Sequence, residues 1–324
     1  MKKVFITGGA GYVGSELVPS LLEKDYLVTV YDLFIYGDTI KNHKNLRLVK
    51  GDIRNQKLLE KNLPGHDQLI HLACISNDPS FELNPTLGKQ INLHAFEPLV
   101  RLAKKYKLKK FIYASSSSVY GIKNEKNVDE DMFLEPITDY SKFKADCETI
   151  LNKHMSDDFI VTTLRPATVC GYSRRQRLDL VVNILSNLAY HKKEISVFGG
   201  KQLRPNIHIN DMVRAYETIL TADTKIINGN IYNVGFENQS VEELALTVKK
   251  VMGDIKINYV QTDDNRSYHI SSDKIKRELG FETLYDIEDS VRDLHEAFKN
   301  KRLTNCLENI DYFNIKKMQK INLK

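Results

Sequence analysis

Thr138 and Asp139 read as the start of a helix, and inside it Tyr140 and Lys144 stand four residues apart, so both side chains share one face. A free tyrosine titrates near ~10 and is a poor base at neutral pH. An ammonium beside it favours the phenolate, and a roughly thousandfold gain in acidity takes about 4 kcal/mol of differential stabilisation in a partly dry site. A phenolate made this way can take a proton from a hydroxyl group. Ser116 lies in the run of serines 115–118, at the end of a strand expected over 110–114, and suits a hydrogen bond to the same hydroxyl.

These groups need a scaffold that brings a reaction partner to them, and the amino terminus supplies one. Residues 3–6, KVFI, read as a short strand, TGGAGYVG over 7–14 as a tight turn, and Leu17, Val18, Leu21 and Leu22 as one face of a helix. Gly8, Gly11 and Gly14 divide three tasks between them: turning the chain, letting backbone approach a pyrophosphate, and packing helix against strand. Tyr12 and Val13 complete the turn, and the helix presents its free N–H groups to the phosphates. A second apolar strand, 27–31, ends in Asp32. An acidic residue at that distance suits the ribose hydroxyls of NAD and repels the extra phosphate of NADP.

The remaining strands and loops follow from the same pattern. A loop over 33–45 leads to a strand over 46–49 and then to Gly51, Asp52 and Ile53. Asp52 either accepts from an adenine amino group, with Ile53 against the ring, or caps a helix before Leu58 and Leu59. A fourth strand, 68–73, ends in Leu72 and Ala73, small enough for a cofactor to lie over its carboxyl end; His71 inside it reads as a hydrogen-bonded core residue. The irregular stretch 74–84 falls at the carboxyl ends of the strands, where open α/β sheets bind ligands. A long helix is expected over 85–107, with Asn92 either bonding a neighbouring backbone or facing solvent, and a sixth strand over 159–164.

The chemistry therefore sits in an α/β protein with a Rossmann-type, doubly wound parallel sheet. The expected division is a dinucleotide-binding part over 1–170, which a strand at 231–235 rejoins, and a smaller, partly interleaved substrate-binding part over 171–324. In that second part a basic loop, 173–177, precedes a helix over 178–190, and a strand over 195–198 precedes Arg204. After Arg302 the apolar residues Tyr312, Phe313, Ile315 and Met318 suit an extra helix, and the charges read as solvated surface.

Composition limits the alternatives. The 324 residues carry 47 basic and 42 acidic side chains, a formal charge of +5 that is scattered and gives no nucleic-acid footprint. Cys74, Cys147, Cys170 and Cys306 share no CxxC spacing, so no metal site is expected. No apolar run is long enough for a membrane span, and a cytoplasmic location is expected.

In order, TGGAGYVG, Asp32, GDI at Gly51, HLA at His71, SSSSVYG, YSKFK and LRPATVCG resemble the extended short-chain dehydrogenase/reductases, specifically the nucleotide-sugar epimerases and dehydratases. The resemblance spans nearly the whole chain. It implies NAD as cofactor, a nucleotide-diphosphate sugar as substrate, and Ser116, Tyr140 and Lys144 as the catalytic set. It implies a structural role for Asn92 beside the cofactor, and Arg204 and Arg266 as holders of the diphosphate, which their charge also suits. Ser117, Thr168 and Arg177 join the expected substrate contacts. A homodimer through the helices that begin at Pro85 and carry Tyr140 is implied as well.

Within that family, the 4,6-dehydratases follow their serine or threonine with Asp-Glu. Ser117 and Ser118 stand there instead, and neither titrates usefully for eliminating water. The expected activity is a nucleotide-sugar 4-epimerase acting by transient oxidation at carbon 4, with UDP-glucose 4-epimerase as the nearest familiar reaction. Thr168 stands where many epimerases carry asparagine, and Pro205 and Asn206 replace an aspartate-aromatic pair. Arg177-Leu178-Asp179 resembles a branch acting on capsule or lipopolysaccharide sugars, including GDP-heptose 4-dehydrogenases. A 4-dehydrogenase releasing the keto sugar is thus the alternative, ahead of a 4,6-dehydratase or a non-catalytic NAD-binding sensor, and base and sugar stay open.

Overall fold

Short runs of β-branched and aromatic residues form the strands β1 (Lys3–Thr7), β2 (Leu27–Asp32), β3 (Leu46–Lys50), β4 (Gln68–His71), β5 (Lys110–Ala114) and β6 (Ile160–Pro166). In the computed structural model, which describes residues 2–125, 127–262 and 267–323, these pair in parallel. The smaller strands are β7 (Thr168–Cys170), β8 (Glu194–Phe198), β9 (Leu203–His208), β10 (Ile231–Val234), β11 (Glu237–Ser240) and β12 (Lys256–Val260). β10 joins the main sheet, giving the order β10-β6-β5-β4-β1-β2-β3. The strand order therefore reverses between β1 and β4, the switch point at which doubly wound sheets bind ligands.

Register fixes which residues meet at that point. Thr7 is level with Tyr31 of β2 and with His71 of β4, and His71 is level with Tyr113 of β5. The next residue on each strand, Gly8, Asp32, Leu72 and Ala114, consequently reaches the same edge. His71 itself is a core residue: its Nδ1 meets Thr7 Oγ1 at 2.7 Å, and burial pushes its pKa down to about 3.

Both faces of the sheet are covered. One apolar layer joins Val4, Ile6 and Ile70 to the helices Gly14–Glu23 and Ile209–Thr221. The other joins Phe5, Leu69 and Phe111 to the helices Phe96–Lys105 and Asp139–Lys153. A separate cluster is formed by the helices Val181–Lys192, Val241–Met252 and Ile287–Lys299 with β8. The helix Ile209–Thr221 and strands β7, β9, β11 and β12 have no counterpart in the sequence reading. β9 contains Pro205 and β11 is the polar run ENQS, so neither carries a strand's apolar alternation.

The helix expected over 85–107 is interrupted. It runs as Pro85–Lys89, a wide π turn at Gln90–His94, and Phe96–Lys105. Inside the π turn the buried Asn92 donates through Nδ2 to Ile75 O and accepts at Oδ1 from Ile75 N, each at 2.9 Å. The side chain completes both backbone groups of a loop residue, and the helix widens where it does so.

Candidate active site

A cleft of about 490 Å³ opens along the carboxyl edge of the sheet. It is lined by the glycine turn, the ends of β2, β4 and β5, the start of the helix Asp139–Lys153, and residues of the second half. Its size is that of a ligand site.

The turn is built for close approach. Gly8 has φ +74°, and a Cβ there would fall 2.5 Å from Ala73 N. A Cβ on Gly14 would strike the carbonyl of Gly9, so only glycine lets the helix start this near the strand. Tyr12 lines the cleft as well, and its hydroxyl donates to Gly171 O at 2.7 Å and accepts from Asn183 Nδ2 at 2.9 Å, locking the turn to the second half.

Asp32 accepts from Ala10 N at 3.0 Å and from Phe34 N at 2.8 Å, so its carboxylate is fixed where a ribose would lie. Burial pushes its pKa up, and those N–H groups with the Arg175 charge work in the other direction. Asp52 and Ile53 line the same end. Asp52 is not the helix cap: Asn55 caps the helix Gln56–Asn62, accepting from Leu58 N at 3.1 Å. The Asp52 carboxylate instead grips Arg54, accepting from Nε at 3.0 Å and Nη2 at 2.7 Å.

At the other end, Thr138 and Ser141 form a reciprocal cap that starts the helix carrying Tyr140 and Lys144. Lys144 Nζ lies 5.8 Å from the Tyr140 ring centre and donates to Ala114 O at 2.5 Å. Ser116 Oγ lies 2.9 Å from Ser118 Oγ. The neighbouring Ser115 donates to Glu148, which pairs with Arg165 at 2.7 Å beneath the site. All three expected catalytic residues thus reach one cleft.

The groups around Tyr140 come from both halves of the chain. Burial pushes the phenol pKa up, with its neighbours Cys74 and Asp78 acting in the same direction. The opposing groups are Arg177 and the backbone N–H of Asn77. Lys144, 5.8 Å from the Tyr140 ring centre, is anchored to a strand carbonyl, and Arg177 from the second half adds a further positive charge near the phenol.

Of the expected cofactor and substrate residues, Leu72, Ala73, Val13, Gly11, Ser117, Thr168, Arg177 and Arg204 also line the cleft. Asn92 does not; it acts through Ile75. Arg266 lies outside the described residues. Arg204 is stacked toward Tyr268, with 5.6 Å between guanidinium and ring centre. Sequence reading missed Ser76, Tyr36, Arg175 and Asn314. Arg175 had a signal, its place in the basic loop, whereas Asn314 had none: 278 residues separate it from Tyr36, to which it is bonded.

Arg175 and Arg177 are both buried and line the cleft, yet Arg175 Nε and Arg177 Nη2 have no hydrogen-bond partner within the protein. Burial lowers the Arg175 pKa to about 10. Guanidinium charges lining a cleft beside a glycine turn and a helix N-terminus suit phosphate groups, so the lining fits a dinucleotide. Among the described residues no cluster of His, Cys, Asp or Glu could hold a metal ion, and no helix is long and apolar enough to cross a membrane.

Comparison with known proteins agrees with this geometry. The NAD-dependent epimerase/dehydratase family matches residues 4–235. A dTDP-glucose 4,6-dehydratase of Streptomyces griseus is 27% identical over 305 residues, 89% of this chain and 91% of its own. A putative UDP-glucose 4-epimerase of Methanocaldococcus jannaschii is 26% identical over 317 residues, 93% of this chain and 100% of its own. The structure of UDP-glucuronic acid 4-epimerase from Bacillus cereus, in complex with UDP-glucuronic acid and NAD, superposes with a TM-score of 0.82 at 26% identity, covering 92% of this chain and 99% of its own.

Proposed function

The chain belongs to the NAD-dependent epimerase/dehydratase family, and from that premise we propose that it is a nucleotide-sugar 4-epimerase. When bound, NAD supplies the hydride acceptor and donor for carbon 4 of the sugar. Gly8, Gly11, Val13, Gly14, Asp32, Asp52, Ile53, Leu72 and Ala73 would hold it along the cleft.

The protein's own part is proton transfer and orientation. Tyr140 takes the proton of the carbon-4 hydroxyl and later returns it, while Ser116 holds that hydroxyl in line. Lys144 keeps the tyrosine helix seated on β5 through Ala114. Arg177 adds positive charge near the phenol, and Arg204 with Thr168 lies where a nucleotide diphosphate would run. The ketone formed at carbon 4 must then present its other face before the proton and hydride return.

The observation that carries this reading over dehydration is the set of neighbours of Ser116. Eliminating water needs a proton donor and acceptor beside the oxidised carbon, and Ser117 and Ser118 occupy that place. The carboxylates that line the cleft are committed elsewhere: Asp32 to Ala10 and Phe34, Asp52 to Arg54, and Asp78 to Thr138 Oγ1 at 2.6 Å. The Arg177-Leu178-Asp179 segment supports the alternative of a 4-dehydrogenase that releases the keto sugar.

Incubation with UDP-, GDP-, dTDP- and ADP-sugars, with products read by NMR, tests both. Interconversion of carbon-4 epimers with no net change in NADH is expected. Accumulation of a 4-keto sugar together with stoichiometric NADH would overturn the epimerase in favour of the dehydrogenase.

A further inference from the structure

We infer that Asn314, on the C-terminal helix Asn314–Ile321, is a positioning residue that clamps Arg175 and Arg177 over the cleft and thereby retains the dinucleotide between turnovers. The inference rests on NAD occupying the cleft and not on which sugar reaction follows.

Asn314 is buried and uses its side chain and its backbone N–H. Its Oδ1 accepts from Arg175 Nη2 at 2.6 Å and from the Tyr36 hydroxyl at 3.1 Å. The Arg175 guanidinium lies over the Tyr36 ring at 3.5 Å, so one amide oxygen fixes both members of a stacked pair. Its Nδ2 donates to Ser76 Oγ at 3.2 Å, and its backbone N–H donates to Asp179 Oδ2 at 2.8 Å. Ser76 and Asp179 are the two partners of Arg177, accepting from Nη1 and Nε, each at 2.9 Å. Asn314 therefore touches Arg175 directly and holds both groups that orient Arg177.

The clamp has a consequence for the cleft. These bonds hold Arg175 and Arg177, two positive side chains that repel each other, at its wall. An anionic ligand beside them offsets that repulsion. Arg175 lines the same cleft as Asp32, and its charge works on that carboxylate. The C-terminal segment adds apolar surface there: Met318 and Leu323 line the cleft, and Met318 belongs to the cluster that contains Ile53. The tail is seated by Leu178 N donating to Tyr312 O at 2.8 Å. The last residues of the chain thus bridge the loops holding Tyr36, Ser76 and Arg175.

The test is the release rate of NADH, followed by its fluorescence after a chase with excess NAD and measured without any sugar. Asn314→Leu keeps the volume and removes the side-chain bonds; release is expected to quicken about ten- to a hundredfold. Asn314→Asp keeps the acceptor for Arg175 and Tyr36, and release is expected within about threefold of the wild type. A chain ending at residue 309 should release NADH at least as fast as Asn314→Leu. If Asn314→Leu melts lower but releases NADH at the wild-type rate, the residue only packs the tail and the inference is overturned. If the truncated chain does not fold, the two point variants decide. A wild type that retains NADH but turns over no nucleotide sugar would sink the proposed reaction and leave this inference standing.

Discussion

Lys144 donates its ammonium to the carbonyl oxygen of Ala114 at 2.5 Å, joining the helix that carries Tyr140 to the strand that ends two residues before Ser116. This bond ties the spacing of Tyr140 and Ser116 to the seat of the helix on β5. Lys144→Met should lower kcat by about a hundredfold, because it removes a buried charge-assisted bond and lets the helix start shift. Steady-state kinetics on the preferred nucleotide sugar check it.

Tyr140→Phe removes only the phenol oxygen. We expect kcat to fall by at least about a hundredfold while affinity for the nucleotide sugar, read by calorimetry, changes less than about twofold. Turnover at the wild-type rate would remove Tyr140 from the proton-transfer role.

Because burial raises the Tyr140 pKa and Arg177 opposes the rise, the charge at position 177 should appear in the pH profile. Arg177→Met removes that opposing charge and leaves the Asn77 N–H. The expected outcome is a fall in kcat of about tenfold at pH 7, with activity recovering as the pH is raised and the acidic limb displaced upward. Arg177→Lys should keep most of the wild-type profile.

Glu148 and Arg165 are both buried and form a pair at 2.7 Å directly under the serine run. Arg165 also donates through Nη1 to the Tyr120 hydroxyl at 2.7 Å, which in turn donates to Asn233 on β10. Glu148→Gln strands the arginine charge, and urea denaturation should report a loss of about 3–5 kcal/mol. The double variant Glu148→Gln with Arg165→Met should lose less than the sum of the singles.

His71 supplies an acid sensitivity. Its pKa is held at about 3 in the folded chain against 6.5 otherwise, so the unfolded chain binds the extra proton first. The stability it contributes is complete above pH 6.5 and is lost as pH falls toward 3. Between pH 7 and 5 the wild type should lose about 2 kcal/mol more than His71→Gln in urea titrations.

The glycine turn, the alternation of strand and helix, Asp32 at the end of β2, and the Tyr140–Lys144 spacing are local features: each depends on a conformational preference or periodicity within a few residues. The sequence by itself therefore determined the parallel sheet, the glycine turn at its switch point and the placing of Tyr140 and Lys144 on one helix face. Asn92 could be singled out but not assigned, since its partner Ile75 lies in an irregular loop. Only the tertiary structure decided that a second cation stands near the phenol, because Arg177 arrives from another part of the chain to join Lys144 there. It alone also decided that the final helix belongs to the site. Asn314 meets Tyr36, Ser76, Arg175 and Asp179 across 135 to 278 residues. No spacing rule carries such a contact, because burial and electrostatic attraction act on distance in space rather than on distance along the chain.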